Sequence, residues 1–406
     1  MTNNNLMNNQ QSKAKNRSVL LGAAFLMATS SVGPGFLTQT AVFTQQLAAS
    51  FAFVILISLI LDVFAQMNVW RIIAVSGMPG QELANKVLPG LGYVLAAFIV
   101  FGGLAFNIGN IAGAGLGLNA MLGIDPVVGA AISAVFAIFI FVVKEAAKVM
   151  DRVAQAAGFT MIILMVFVAF KTSPPVGEAL VNTVWPAEIS MLAIVTLVGG
   201  TVGGYITFAG GHRLLDAGIK GVEGLPQVTQ SAVIGIGVTG VMRIALFLAV
   251  LGVISQGVVL DVDGNPAAEA FQYALGDIGI RVFGVIMWAA AVTSVVGAAY
   301  TSVSFIRTFS PFIEKHRNWF IIGFIIISSS TFLFIGRPVT VLILAGAINA
   351  LILPLALAVI LIAAYRKDIV GSYKHPMWLT IPGILVVILM GVLSVWTLIN
   401  EVPKLF

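Results

Sequence analysis

Two interruptions in otherwise apolar stretches carry most of the chemistry this chain offers. In the first, Ser30-Ser31-Val32-Gly33-Pro34-Gly35 breaks a long apolar run. Proline removes an amide donor, and each glycine costs a helix about 1 kcal/mol. In the second, Gly199-Gly200, Gly203-Gly204 and Gly210-Gly211 surround the segment from Tyr205 to Ala209. A helix broken in mid-membrane presents unpaired amides and carbonyls to a solute, and paired breaks in corresponding places of two halves point to a transporter binding site. The alternative is structural: a kink at Gly33-Pro34-Gly35 and a close-packing glycine face in the other segment. On the binding reading, Gly33, Gly35, Gly210 and Gly211 allow close backbone approach, and Phe36 and Phe208 supply apolar walls. Thr38, Gln39, Asn107 and Thr207 orient polar groups, with Pro34 and Ala209 completing the set.

A few ionisable or hydroxylated residues stand near these breaks. His212 either carries a proton near working pH or is a polar helix residue at a vestibule. Arg213, Asp216 and Lys220 are spaced for an ion-pair set on a helix surface. Arg243 lies in the middle of an apolar span, where it is a counter-charge for an anion, a gate, or the partner of an acid such as Asp62. Asp62 is in turn a candidate for proton coupling or for that salt bridge. Thr293 and Ser294 read as interhelical hydrogen bonders or as part of a sodium site, and Tyr300 and Asn349 as pathway residues.

The elements that hold these residues are membrane helices. Of 406 residues, 59% are hydrophobic and 9% charged, too little polar surface to cover a soluble domain. A spanning helix needs roughly 20 apolar residues. Hydropathy and turn signals place spans at 18–46, 50–74, 89–120, 127–143, 153–171, 190–219, 231–256, 279–310, 319–336, 339–365 and 377–399. Open strands have no partners for their backbone groups in lipid, so the class is all-α. The organisation expected is a disordered cytoplasmic tail at 1–17 followed by one transmembrane domain, 18–406. Within it, 18–171 and 190–365 form two inverted repeats, and 377–399 an extra helix.

The net charge of +5 is explained by topology. With the N-terminus inside, Lys13, Lys15, Arg17, Arg71, Lys86, Lys144, Lys148, Arg152, Arg213, Lys220, Arg307, Lys315, Arg317, Arg366, Lys367 and Lys374 face the cytoplasm, against Lys171, Arg281, Arg337 and Lys404 outside. A multi-pass protein of the cell membrane is expected, with no nucleic-acid partner. The chain has no cysteine, which excludes disulfides and thiolate ligands. No nucleophile, base and orienting group fall together, so an enzyme is not expected.

At this point the chain resembles the NRAMP family of divalent-metal transporters. Gly33-Pro34-Gly35-Phe36-Leu37-Thr38 falls where that family carries Asp-Pro-Gly-Asn, an aromatic and Ala-Thr. The stretch from Leu88-Pro89 through Ala105-Phe106-Asn107-Ile108-Gly109-Asn110 to Ile124 is similar to the family's third helix nearly end to end. The resemblance implies a LeuT-like 5+5 fold of about 11 helices, with helices one and six broken, working by alternating access. It also exposes a loss. The family's ligand aspartate falls on Gly33, its ligand asparagine on Phe36, and its Met-Pro-His motif around Ala209-Gly210-Gly211-His212. The acidic pair of its proton route reads Asn107 and Asn110.

A dehydrated divalent cation needs oxygen or softer ligands with compensating negative charge. The N-terminal ends of broken half-helices, by contrast, attract carboxylates. The substrate expected is therefore a small organic anion, a carboxylate or amino-acid-like molecule, with a Mn/Mg-like cation in a hydrated or carbonyl-lined site as the alternative. Members of the family with this stripped motif are often encoded beside 5-oxoproline-hydrolysing proteins, which makes 5-oxoproline the first candidate. No metal and no cofactor are expected, and the coupling ion is a proton or sodium. The sequence leaves the oligomeric state open.

Overall fold

The computed structural model describes residues 33–405, so the expected tail and Ser30-Ser31-Val32 lie outside the described residues. Helices of eight residues or more are α1 (Pro34–Leu47), α2 (Phe51–Ser76), α3 (Gly80–Val87), α4 (Leu91–Leu122), α5 (Pro126–Val142), α6 (Lys144–Thr172) and α7 (Val176–Val184). They continue as α8 (Met191–Val202), α9 (Gly204–Asp216), α10 (Leu225–Ile254), α11 (Pro266–Ile306), α12 (Arg317–Ile335), α13 (Pro338–Ala363) and α14 (Met377–Asn400). No strand occurs among the described residues. Nine stretches there are long and apolar enough to cross a membrane, one of them, Pro34–Ser76, comprising both α1 and α2. α5 is a shorter apolar helix.

Local chemistry sets the boundaries. Pro34, Pro126, Pro266 and Pro338 open their helices, where a missing amide costs nothing. Asp125 caps α5 by accepting from the amides of Val127 (2.9 Å) and Val128 (3.1 Å). The span expected at 279–310 starts earlier, at Pro266, because Asn265 caps it there, and it bends at Gly276, whose φ of 68° only glycine adopts freely.

The broken pair α8–α9 is the centre of the bundle. In its most apolar window 89% of residues are buried by protein, against 22% for the stretch in α6, 28% for α12 and 33% for α14, which leave their apolar faces to lipid. Close approaches through glycine make that possible. A methyl group on Gly199 of α8 would overlap the Gly346 carbonyl of α13. One on Gly117 of α4 would sit 2.7 Å from the Trp288 amide of α11, so only hydrogen fits.

α14 is tied to α2 by a polar chain at one end. Asn68 donates to the Leu379 carbonyl (3.0 Å), leaving its oxygen to accept from His375 Nε2 (2.7 Å). Arg71 Nε donates to the Tyr373 hydroxyl (3.2 Å), which donates to His375 Nδ1 (3.2 Å). Every member is satisfied when His375 is neutral. Burial, and secondarily the positive Arg71, push the His375 pKa from 6.5 down to about 4. A folded-state value below the unfolded one means the contribution is complete above about pH 6.5 and is lost as pH falls toward about 4, because the unfolded chain takes up the proton first. Thermal unfolding followed across that window should show a drop in midpoint that His375→Gln removes; equal pH slopes for both proteins would contradict the assignment.

Candidate functional site

The break of the sixth span is present as expected. α8 ends at Val202, Gly203 adopts φ −48° and ψ 158°, and α9 begins at Gly204. Carbonyls freed in this apolar setting need new donors. Thr207 supplies one, its hydroxyl donating to the Val202 carbonyl. The Thr207 carbonyl accepts from the Trp70 indole N–H of α2 at 2.9 Å. Thr207 is thus a strut of the break.

Beside the break lies a cavity of about 320 Å³ between α1, α4, α5, α6, α9, α10 and α11. Its polar lining comprises Asn110 of α4, Gln155 of α6, Tyr205 and Arg213 of α9, and Thr293, Ser294, Tyr300 and Thr301 of α11. Leu37, Phe106, Met150, Met161 and Met242 are among the apolar walls. Arg213 is the one charged residue among the described lining, and no Asp or Glu joins it. No group of three His, Cys, Asp or Glu able to hold a metal ion occurs among the described residues.

Of the residues read from sequence, Asn110, Ala209, Gly210, Thr293, Ser294 and Tyr300 come together at this cavity. The others sit elsewhere for identifiable reasons. Gly33 is the extended residue before α1, and Pro34 packs against Gly113 of α4. Gly35 faces Gln39 and Leu342. Gln39 is held between helices, donating to the Leu342 carbonyl at 2.8 Å with its oxygen end against Gly200. Thr38 is fully buried, its hydroxyl without a partner. Asn107 donates to Ser328 of α12 at 2.8 Å, and Asn349 to the Gly102 carbonyl of α4 at 2.9 Å. Phe208 presses on Gly80 and Phe305, and Gly211 on Ile73 and Trp70.

His212 is likewise a structural link. Its Nε2 accepts from the Gly80 amide at 2.9 Å, and the ring stacks on Phe305 at 4.3 Å. It is a neutral acceptor there, away from the cavity.

Two expectations about charge need correction. Arg213, Asp216 and Lys220 form no ion pair among the described residues; Arg213 borders the cavity instead. Arg243 and Asp62 are both buried, 1% and 2% exposed, yet make no direct salt bridge. Arg243 donates to Ser58 at 2.9 Å and lies over the Phe36 ring, 5.2 Å from its centroid. Such a desolvated cation–π contact contributes about 2 kcal/mol. Phe36 is therefore a cushion for Arg243 in this arrangement, not a wall of the cavity.

Sequence reading passed over Tyr205, Gln155 and Thr301. Tyr205 had a signal, standing in the first turn after the break at Gly203. Gln155 and Thr301 had none beyond being polar on apolar helices.

A family model described as natural resistance-associated macrophage protein-like, or Nramp, matches residues 24–400. An uncharacterized membrane protein, YcsG, of Bacillus subtilis (strain 168) is 66% identical over 394 residues, covering 97% of each chain. An uncharacterized membrane protein of Haemophilus influenzae is 57% identical over 390 residues, covering 96% of this chain and 98% of the other. In fold, the chain is similar to a manganese transporter of Eremococcus coleocola solved with an aromatic bis-isothiourea compound, at TM-score 0.67 and 15% identity over 93% of this chain and 85% of that one. It is also similar to MhsT in complex with L-phenylalanine, at TM-score 0.57 and 18% identity over 93% and 97%.

Thr207→Val keeps the shape of the strut but leaves the Val202 carbonyl unpaired, at a cost of about 1–3 kcal/mol. A lowered unfolding midpoint in detergent, restored by Thr207→Ser, is the expected result; an unchanged midpoint would mean the break is satisfied otherwise.

Proposed function

The chain belongs to the Nramp family of membrane transporters, and from that premise we propose that it carries a small organic anion by secondary active transport, rocking one repeat against the other around the break. The supporting observation is the cavity's charge: Arg213 borders it, and no carboxylate does among the described residues. A site so lined attracts an anion and repels a divalent cation, whose hydration shell would have to be replaced by oxygen ligands carrying compensating charge. Its size suits a compact molecule, at the lower end of the range for small-molecule pockets. Asn110, Gln155 and the Thr293–Ser294 hydroxyls offer hydrogen bonds to the polar end, and Phe106 and the methionines receive the apolar part.

Carriage of a metal ion is the rival reading, favoured by the fold shared with a manganese transporter. Against it stand the lack of a three-member ligand group among the described residues and the neutral residues at the family's ligand positions, Gly33 and Phe36.

Proteoliposomes decide between the two. Uptake of 5-oxoproline or a related small carboxylate should saturate and be indifferent to added manganese or magnesium. Arg213→Gln should weaken it by about 10–100-fold, the worth of a hydrogen bond to a charged group, with Arg213→Lys retaining part. Manganese uptake by the wild-type protein, with no response to any carboxylate, would overturn the anion reading.

A further inference from the structure

A second polar cluster lies apart from the main cavity, between α2, α8 and α10. Asp62 is its acid. One carboxylate oxygen accepts from the Thr201 hydroxyl at 2.8 Å, and the other is buried with no partner. Asp62, Gln66, Thr201, Gly235 and Thr239 border a void of about 10 Å³, on the scale of a single water probe. Arg243 of α10 is the charged group that acts on Asp62, without touching it; Thr201 of α8 and Thr239 of α10 face it as hydroxyls, and α7, α9, α13 and α14 bring no charge to bear on it among the described residues.

Thr201 connects this acid to the break. Its hydroxyl is within bonding distance of three acceptors: Asp62 at 2.8 Å and, on its own helix, the Leu197 carbonyl at 2.7 Å and, more distantly, the Val198 carbonyl at 3.4 Å. A hydroxyl has one hydrogen and donates to one of them at a time. With Asp62 ionised, the hydrogen goes to the carboxylate. With Asp62 protonated, the acid becomes the donor to Thr201 Oγ1, and Thr201 returns its own hydrogen to Leu197. Both states close their hydrogen bonds, and they differ in what holds the last turn of α8, two residues before Gly203. No atom need move far for the exchange.

We propose that Asp62 takes up and releases one proton in the transport cycle, and that Thr201 passes its protonation state to the broken helix by reversing the hydrogen bond between them. The coupling half of this rests on the transport reading above; the proton site itself does not.

Infrared difference spectra of the full-length protein in vesicles, recorded between about pH 8 and pH 5, read a protonated carboxyl group directly. A carboxylic-acid band should appear on acidification, be absent in Asp62→Asn, and change position in Thr201→Val, where its hydrogen-bond partner is gone. A spectrum unaltered by both substitutions assigns the band to other acids and overturns the proposal. Should Asp62→Asn fail to fold, Thr201→Val alone decides, since it keeps the carboxyl group and moves only its partner. In parallel, an acid-outside gradient should drive 5-oxoproline accumulation in the wild-type protein and lose that effect in Asp62→Asn. The expected band with no carboxylate taken up supports the proton site and removes the anion reading. Gradient-driven uptake that survives Asp62→Asn supports the anion reading and overturns the coupling through Asp62.

Discussion

Where α8 stops and α9 starts, backbone groups lose their helical partners inside an apolar bundle and need replacement partners from neighbouring side chains. Much of the interior is arranged around that deficit. The Thr207 hydroxyl takes the Val202 carbonyl, and Trp70 reaches across from α2 to take the carbonyl of Thr207 itself. The same constraint explains the glycines. Gly199, Gly200 and Gly204 let α13 and Gln39 close over the break so tightly that a methyl group would collide with the Gly346 carbonyl, the Gln39 amide or Ile352. A break left open to lipid would cost several kcal/mol for each unsatisfied group.

Two arginines show what the bundle does with positive charge. Arg243 is enclosed, its guanidinium shared between the Ser58 hydroxyl and the Phe36 ring, with Asp62 acting on it from a distance. Arg213 is left at the cavity with no carboxylate beside it among the described residues. An enclosed charge held by neighbouring groups contributes to architecture, whereas the exposed Arg213, though screened by solvent, stays available to a solute.

The sequence disclosed the helices and the second break because both rest on local chemistry: apolar length, proline, and glycine in clusters. It disclosed less of the site. Gln39, Phe36 and Phe208 sit near the breaks in sequence, and their types suit a ligand, but each is engaged by a helix distant along the chain, through Leu342, Arg243 and Gly80 respectively. Such engagement depends on which faces meet across the bundle, and one chain read alone carries no record of it. Arg213 was misassigned for a related reason. Its spacing to Asp216 and Lys220 fits a surface ion pair, and only the tertiary arrangement turns that face of α9 toward α11, where a methyl group placed on Gly297 would come 3.8 Å from the guanidinium.

The two proposed sites also fit together electrostatically. Empty and deprotonated, the region holds a positive Arg213 and a negative Asp62. Loaded, the anion cancels Arg213 and the proton cancels Asp62. Arg243 stays positive in both, so the summed charge of these groups is the same before and after loading. Moving a charge imbalance through a low-dielectric interior is costly, on the order of 3 kcal/mol for each buried unit charge on insertion scales. Either ligand alone creates that imbalance, leaving an anion opposed by an ionised carboxylate, or a bare Arg213 with its balancing acid neutralised. The rearrangement of the broken helix is then cheapest when anion and proton are both present or both absent, which is the condition for coupled transport.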